Sequence, residues 1–249
     1  MSTAIASAFY SRQYTKPLHF PESDGKPMAE TDKHRNQMIA LLNALEEYYR
    51  PDSGIYVTGN ILVHYCDETG EWKFLAPDII VVKGVEKKDR GSYVIEDEGK
   101  APDFIIELVS PSTKVEDLGN KRVIYAGWRV KEYFLFDPTG ELFSGPLRGF
   151  RLQGNDYVPM MGARLHSEAL ELDLVVEHGR LRLYDPKTGQ RLLTHEESEA
   201  ARRIAETKAS QEAAARQAAE AKAAQEFAAR QAAEAELARL REELAKLRG

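Results

Sequence analysis

Between residues 30 and 49 the apolar positions Met38, Leu41, Leu42 and Leu45 recur at i, i+3, i+4 and i+7, the spacing that lines one face of a helix. The pattern then shortens. Apolar runs bounded by Gly, Pro, Asp and Asn predict strands at about 55–65, 78–83, 104–109 and 132–137, with the turn Asp-Glu-Thr-Gly at 67–70 between the first two. Leu118, Lys121, Tyr125 and Trp128 fall at i, i+3, i+7 and i+10, one stripe of a second helix over 114–128. Thr113 and Glu116 have the spacing of a capping box at its start. Residues 147–185 read as shorter strands or hairpins that extend or brace the sheet. Helix, strands, helix, strand is the order of an α/β domain with a central mixed sheet flanked by helices.

The punctuation stops near residue 195, which sets a domain over 1–195 and a tail over 196–249. The tail has no proline and no glycine before Gly249, and "QEAAARQAAEA" at 211–221 returns as "QEFAARQAAEA" at 225–235, two heptads on. Alanine favours helix, and Glu212 with Arg216 and Glu226 with Arg230 are acid-before-base pairs at i,i+4. One long helix is predicted, roughly 80 Å if unbroken at ~1.5 Å per residue. Leu237, Leu240, Leu244 and Leu247 follow the 3-4-3 spacing of a coiled-coil seam, over two heptads only. The tail reads equally as a solvated single helix and as a helix that makes a homo-oligomer.

Composition narrows the function classes. The 249 residues, 43% hydrophobic and 30% charged, suffice for one generous domain with a real core plus an appendage. No stretch approaches the ~20 apolar residues of a membrane span, and the N-terminus lacks the basic start and apolar centre of a secretion signal. Cys66, the one cysteine, has no disulfide or CxxC partner, which fits a reducing cytoplasm and a small half-buried side chain. A net charge of −6 argues against a protein that coats nucleic acid, though not against a local basic cleft. GxSxG, GxxxxGK[ST], GxGxxG and HExxH are all absent, and the six histidines lack metal-ligand spacing.

Carboxylates inside apolar runs carry the remaining chemistry. In a strand over 104–109, Glu107 shares a face with Asp103, Ile105 and Val109, opposite Phe104, Ile106 and Leu108. Burying an ionised carboxylate alone costs several kcal/mol, so a cation, a metal or a proton should compensate it. A sheet-edge glutamate in water, or one paired with an arginine, is the structural alternative. Asp78 stands just before the run Ile79–Val82. Two carboxylates on neighbouring strands can share a hard divalent cation, although Pro-Asp before a strand is also a common turn. Lys121 lies in the helical stripe expected to face the sheet. It can pair with Asp117 at i,i+4 or aim its ammonium at the space above Glu107, where it would orient a water or offset charge on a phosphate.

Residues 76–138 resemble the Uma-two family of bacterial restriction-type endonucleases, within the PD-(D/E)XK nuclease superfamily, and the likeness extends more loosely over about 28–195. It is carried by Pro77-Asp78, the strand Glu-Leu-Val-Ser followed by Pro-Ser-Thr at 107–113, Asp117-x-x-x-Lys121-x-x-x-Tyr125, Glu132-Tyr133 and Asp137-Pro138. The resemblance implies a restriction endonuclease-like core in which Asp78 and Glu107 hold a metal, Mg²⁺ or alternatively Mn²⁺. The superfamily's lysine two residues after the second acid is replaced by Val109, and Lys121 is implied as its migrated counterpart. Asp117 and Tyr125 would support the site, and Glu30 either matches the acid that many superfamily members carry in the first helix or is a solvated residue near that helix's start. A second Pro-Asp, Pro102-Asp103, lies only four residues before Glu107 on the same strand and ranks lower. The implied activity is hydrolysis of DNA phosphodiester bonds by an Mg-dependent endonuclease, with Lys114, Arg122, Arg129 and Lys131 either meeting the DNA backbone or lining a wet helix face. The alternative is a nuclease fold that no longer cuts and binds a partner through its helical tail.

Overall fold

The computed structural model describes residues 16–23 and 31–247. The chain divides into two compact units, residues 1–195 and 196–249.

The first unit opens with helix α1 (Asp32–Tyr48), capped by Thr31, whose side chain accepts from the His34 N–H. Strand β1 (Ile55–Thr58) belongs to the central sheet, whereas β2 (Val63–Cys66) does not, so the single strand expected over 55–65 is two. The chain turns between them at Gly59 and Asn60, the latter at φ 52°. A Cβ at Gly59 would lie 2.1 Å from the Asp78 carbonyl oxygen, so only glycine allows this close approach. The turn at 67–70 joins β2 to β3 (Trp72–Leu75) rather than to the expected strand, β4 (Ile79–Lys83). The Asp67 carboxylate makes that turn by accepting from the backbone of Thr69 and Glu71.

Beyond β5 (Tyr93–Val94) and the short α2 (Ile95–Glu98) come β6 (Phe104–Leu108), α3 (Lys114–Leu118), α4 (Asn120–Gly127) and β7 (Glu132–Phe136). The helix expected over 114–128 is therefore broken, at Gly119 (φ −109°, ψ −93°). The expected capping box does not form. Thr113 makes no side-chain bond to the helix N-terminus and its hydroxyl instead accepts from the Ser110 N–H.

Strands β8 (Leu147–Gln153) and β9 (Asp156–Met160) complete a six-stranded sheet ordered β1-β4-β6-β7-β8-β9, mixed because only β6 and β7 are parallel. β10 (Arg164–Ser167), β11 (Leu172–Glu177) and β12 (Arg180–Tyr184) form an antiparallel sheet, and β3-β2-β5 a third. The fold is thus mixed α/β about a central mixed sheet.

Strand parity sorts the core. Phe104, Ile106 and Leu108 pack with Met38, Leu41 and Leu45 of α1 and with leucines of β10–β12. Ile105 and Val109 pack on the other face with Ile80, Val82, Leu135 and the α4 residues Tyr125 and Ala126. Glu107 belongs by alternation to this second face, beneath α4.

The second unit is one helix, α5 (His195–Leu247). Among its i,i+4 ion pairs are Lys208 with Glu212, Arg216 with Glu220 and Lys222 with Glu226, base before acid, rather than the Glu212–Arg216 and Glu226–Arg230 pairs expected. Glu212, Arg216 and Glu226 each have opposite charges four positions away on both sides, and on an exposed helix either choice contributes only a few tenths of a kcal/mol. Leu237, Leu240 and Leu244 are exposed on it. No helix among the described residues is long and apolar enough to cross a membrane.

Candidate active site

Asp78, Glu107, Asp117, Lys121 and Tyr125 come together where β4 and β6 meet the α3–α4 pair. Register does the first part. Ile79 pairs with Ile106, so the next antiparallel partners are Asp78 and Glu107. Each carboxylate then reaches the other strand's backbone: Leu108 N–H donates to Asp78 Oδ2 at 2.6 Å, and Asp78 N–H approaches Glu107 Oε2 at 3.4 Å.

The helical break supplies the rest. Lys121, on the buried stripe of α4, lies 3.0 Å from Glu107 Oε1 and 2.8 Å from Asp117 Oδ1. The i,i+4 pair with Asp117 forms, and the same ammonium also reaches the strand glutamate. Tyr125 donates to Glu107 Oε1 at 2.6 Å, and Tyr133 donates to the Asp117 carbonyl at 2.9 Å, which ties α3 to β7. Glu107 and Asp117 are each 1% exposed.

Burial dominates the electrostatics. It pushes Glu107 up to about 8; the Lys121 ammonium and the Tyr125 hydroxyl pull it down, while the Asp78 and Asp117 charges add to the rise. Burial raises Asp117 as well, again against Lys121. Burial works against the Lys121 ammonium too, but Glu107 and Asp117 outweigh it and its pKa is raised. Lys121 therefore stays charged with two carboxylates facing it, and Glu107 is the member whose proton is contested. Tyr125, raised well above the usual phenol by burial and by Glu107, remains a donor. Replacing Tyr125 with Phe leaves the buried Glu107 carboxyl one donor short. The expected cost is about 1–3 kcal/mol, read by urea denaturation at pH 7, with a further rise in the Glu107 pKa; an unchanged midpoint would show that the bond contributes nothing.

His34 is a site residue that sequence reasoning passed over. Its Nε2 lies 2.8 Å from the Leu108 carbonyl and 3.5 Å from Asp78 Oδ2. The signal was present, because His34 sits four residues before Met38 on the buried stripe of α1. Glu30 lies outside the described residues. Asp103 is tied elsewhere: it accepts from Lys83 N–H and pairs with Lys100 at 3.0 Å and Lys131 at 2.7 Å, contacts that outweigh its burial and lower its pKa.

Most of the flanking bases are also tied locally. Arg122 faces Asp156 and the Tyr157 carbonyl, Arg129 donates to the Gly154 carbonyl and the Asn155 side chain, and Lys131 is held by Asp103.

The donors present at the centre are the oxygens of Asp78 and Glu107. Among the described residues no three His, Cys, Asp or Glu side chains are disposed to hold a metal ion. An all-oxygen pair suits a hard divalent cation such as Mg²⁺, which completes its shell with water and phosphate oxygens and needs only one or two carboxylates. Burial, with the Asp78 charge adding to it, raises Glu107, a cost that a shared cation would relieve.

A family model named Uma2 and described as "Putative restriction endonuclease" matches residues 10–195. Among solved structures, the chain is similar to a "putative nuclease belonging to DUF820" from Anabaena variabilis ATCC 29413, with 16% identity and a TM-score of 0.41 over 57% of this chain and 74% of that one. No curated protein matches the chain.

Proposed function

Since the chain belongs to the Uma2 restriction endonuclease family, we propose that it is a metal-dependent endonuclease that hydrolyses DNA phosphodiester bonds at the Asp78–Glu107–Lys121 centre. The observation that carries this reading is the shared placement of two carboxylates and an ammonium on one side of the sheet, with Lys121 3.0 Å from Glu107. In this reading Asp78 and Glu107 hold the divalent ion, Mg²⁺ or Mn²⁺. The ion, when bound, supplies a Lewis acid that polarises the scissile phosphate and acidifies an attacking water.

The chain's own groups do the remaining work. Lys121 orients the water or offsets charge that develops on the phosphate, and the low-dielectric setting strengthens that interaction. Asp117 holds Lys121 in place, and Tyr125 holds Glu107. His34 positions the Leu108 backbone, which in turn donates to Asp78. Val109 stands where the superfamily lysine is usual, and it packs in the apolar layer of the second face. Lys121 reaches the same carboxylate from the helix instead.

The test is cleavage of supercoiled and single-stranded DNA by the purified full chain with Mg²⁺, Mn²⁺ or EDTA. Metal-dependent cutting of either substrate is expected. No cutting on both substrates with both metals would overturn the assignment and favour a nuclease fold that serves as a binding scaffold.

A further inference from the structure

One row of residues crosses four strands on the face that carries Glu107. Asp78 lies beside Glu107 in the β4–β6 register, Glu107 pairs with Leu135, and Leu135 pairs with Arg148. Register partners point to the same face, and strands lie about 4.8 Å apart, so Arg148 enters the row roughly 10 Å from Glu107. Its guanidinium sits over the Phe143 ring, 4.3 Å from the centroid. Lys114, the first residue of α3, places its Nζ 5.4 Å from the same centroid and donates to the Leu142 carbonyl at 2.8 Å.

The loop that carries Phe143 is built rather than incidental. Asp137, buried at the end of β7, accepts from the backbone and hydroxyl of Thr139 and from Leu142 N–H. Aromatic ring and both cations are thereby fixed to the strand next to Glu107.

Among the described residues the two cations also lack counter-charge. Arg122, Lys131, Arg151 and Arg164 all pair with carboxylates. Among the described residues Lys114 and Arg148 have only the ring and, for Lys114, a carbonyl. In a chain of net charge −6, two unneutralised cations held on one ring beside an acidic centre are suited to an external anion.

We infer that Lys114 and Arg148 bind a backbone phosphate of DNA within about three nucleotides of the one that meets Asp78 and Glu107, at ~3.4 Å of rise per nucleotide. This rests on the nuclease reading. The contact fixes the strand in the site and reads no base, so it acts on every DNA sequence alike.

The experiment is fluorescence anisotropy of labelled duplex and single-stranded oligonucleotides with the full chain in EDTA, over a salt series, beside the cleavage assay in Mg²⁺. Arg148→Ala and Lys114→Ala are each expected to lower the slope of log affinity against log salt on duplex by about 0.9, equivalent to about eightfold weaker binding at 0.1 M salt. Arg148→Lys should keep the slope. Thermal melts of the same variants separate a structural role, which would move the melting temperature and leave the slope alone. If the wild type binds and cleaves while the alanine variants keep its slope, the inference fails and the nuclease reading stands. Cleavage without binding in EDTA also overturns the inference, because cation–phosphate contacts need no metal. A wild type that neither binds nor cuts overturns both.

Discussion

Glu107→Gln is expected to lower the DNA cleavage rate at least about 100-fold, the scale of losing one positioned electrostatic group in a water-poor site. Glutamine fills the same volume and still accepts from Tyr125, so the fold should persist. What disappears is the negative charge that would help hold the metal and that faces Lys121 at 3.0 Å. Wild-type rates in the mutant would remove Glu107 from the mechanism. The same variant reports the contested proton. A glutamate near 4.5 when exposed is pushed to about 8 here by burial, so between those pH values the folded chain holds a proton that the unfolded chain releases. Stability of the metal-free wild type should then fall as pH rises through this window, by up to about 1.4 kcal/mol per pH unit for one proton. Glutamine has no proton to lose. Urea denaturation at pH 5 and pH 8 in EDTA should therefore shift in the mutant's favour at the higher pH, and a pH-independent gap between the two proteins would refute the raised pKa.

Lys121→Met should be the most damaging single change to the centre. It leaves Glu107 and Asp117, each 1% exposed, without the cation that faces both. Orphaning a buried charge costs about 3–5 kcal/mol, far more than the net contribution of the intact pair. Cleavage should fall by at least about 100-fold as well, because the ammonium aimed at the phosphate is gone. Above pH 8, where the orphaned Glu107 would otherwise be forced toward its charged form, adding Glu107→Gln to Lys121→Met should recover part of the lost stability. The cycle of single and double variants, followed by urea denaturation, measures that coupling. Additive losses would mean that Lys121 and Glu107 do not interact in solution.

The sequence alone determined what depends on local geometry. Alternation along 104–109 put Glu107 on the face opposite Phe104, Ile106 and Leu108, and the core divides along that line. Helical spacing put Lys121 and Tyr125 on a buried stripe and put Met38, Leu41 and Leu45 against the sheet. These follow from periods of two and 3.6, which neighbours along the chain enforce. Tertiary structure decided the rest. Breaks at Asn60 and Gly119 split one expected strand and one expected helix; at the first the backbone passes close to Asp78, and at the second Gly119 leaves helical geometry. Only the register of β4 on β6 sets Asp78 beside Glu107, and only the docking of α1 on the other side brings His34 to the Leu108 carbonyl. Arg148 enters the same row through two further strand pairings from a position 41 residues beyond Glu107, 148 less 107. Pairing between distant strands is a non-local choice made by packing and hydrogen bonding together, and no period along the chain encodes which strand lies next to which.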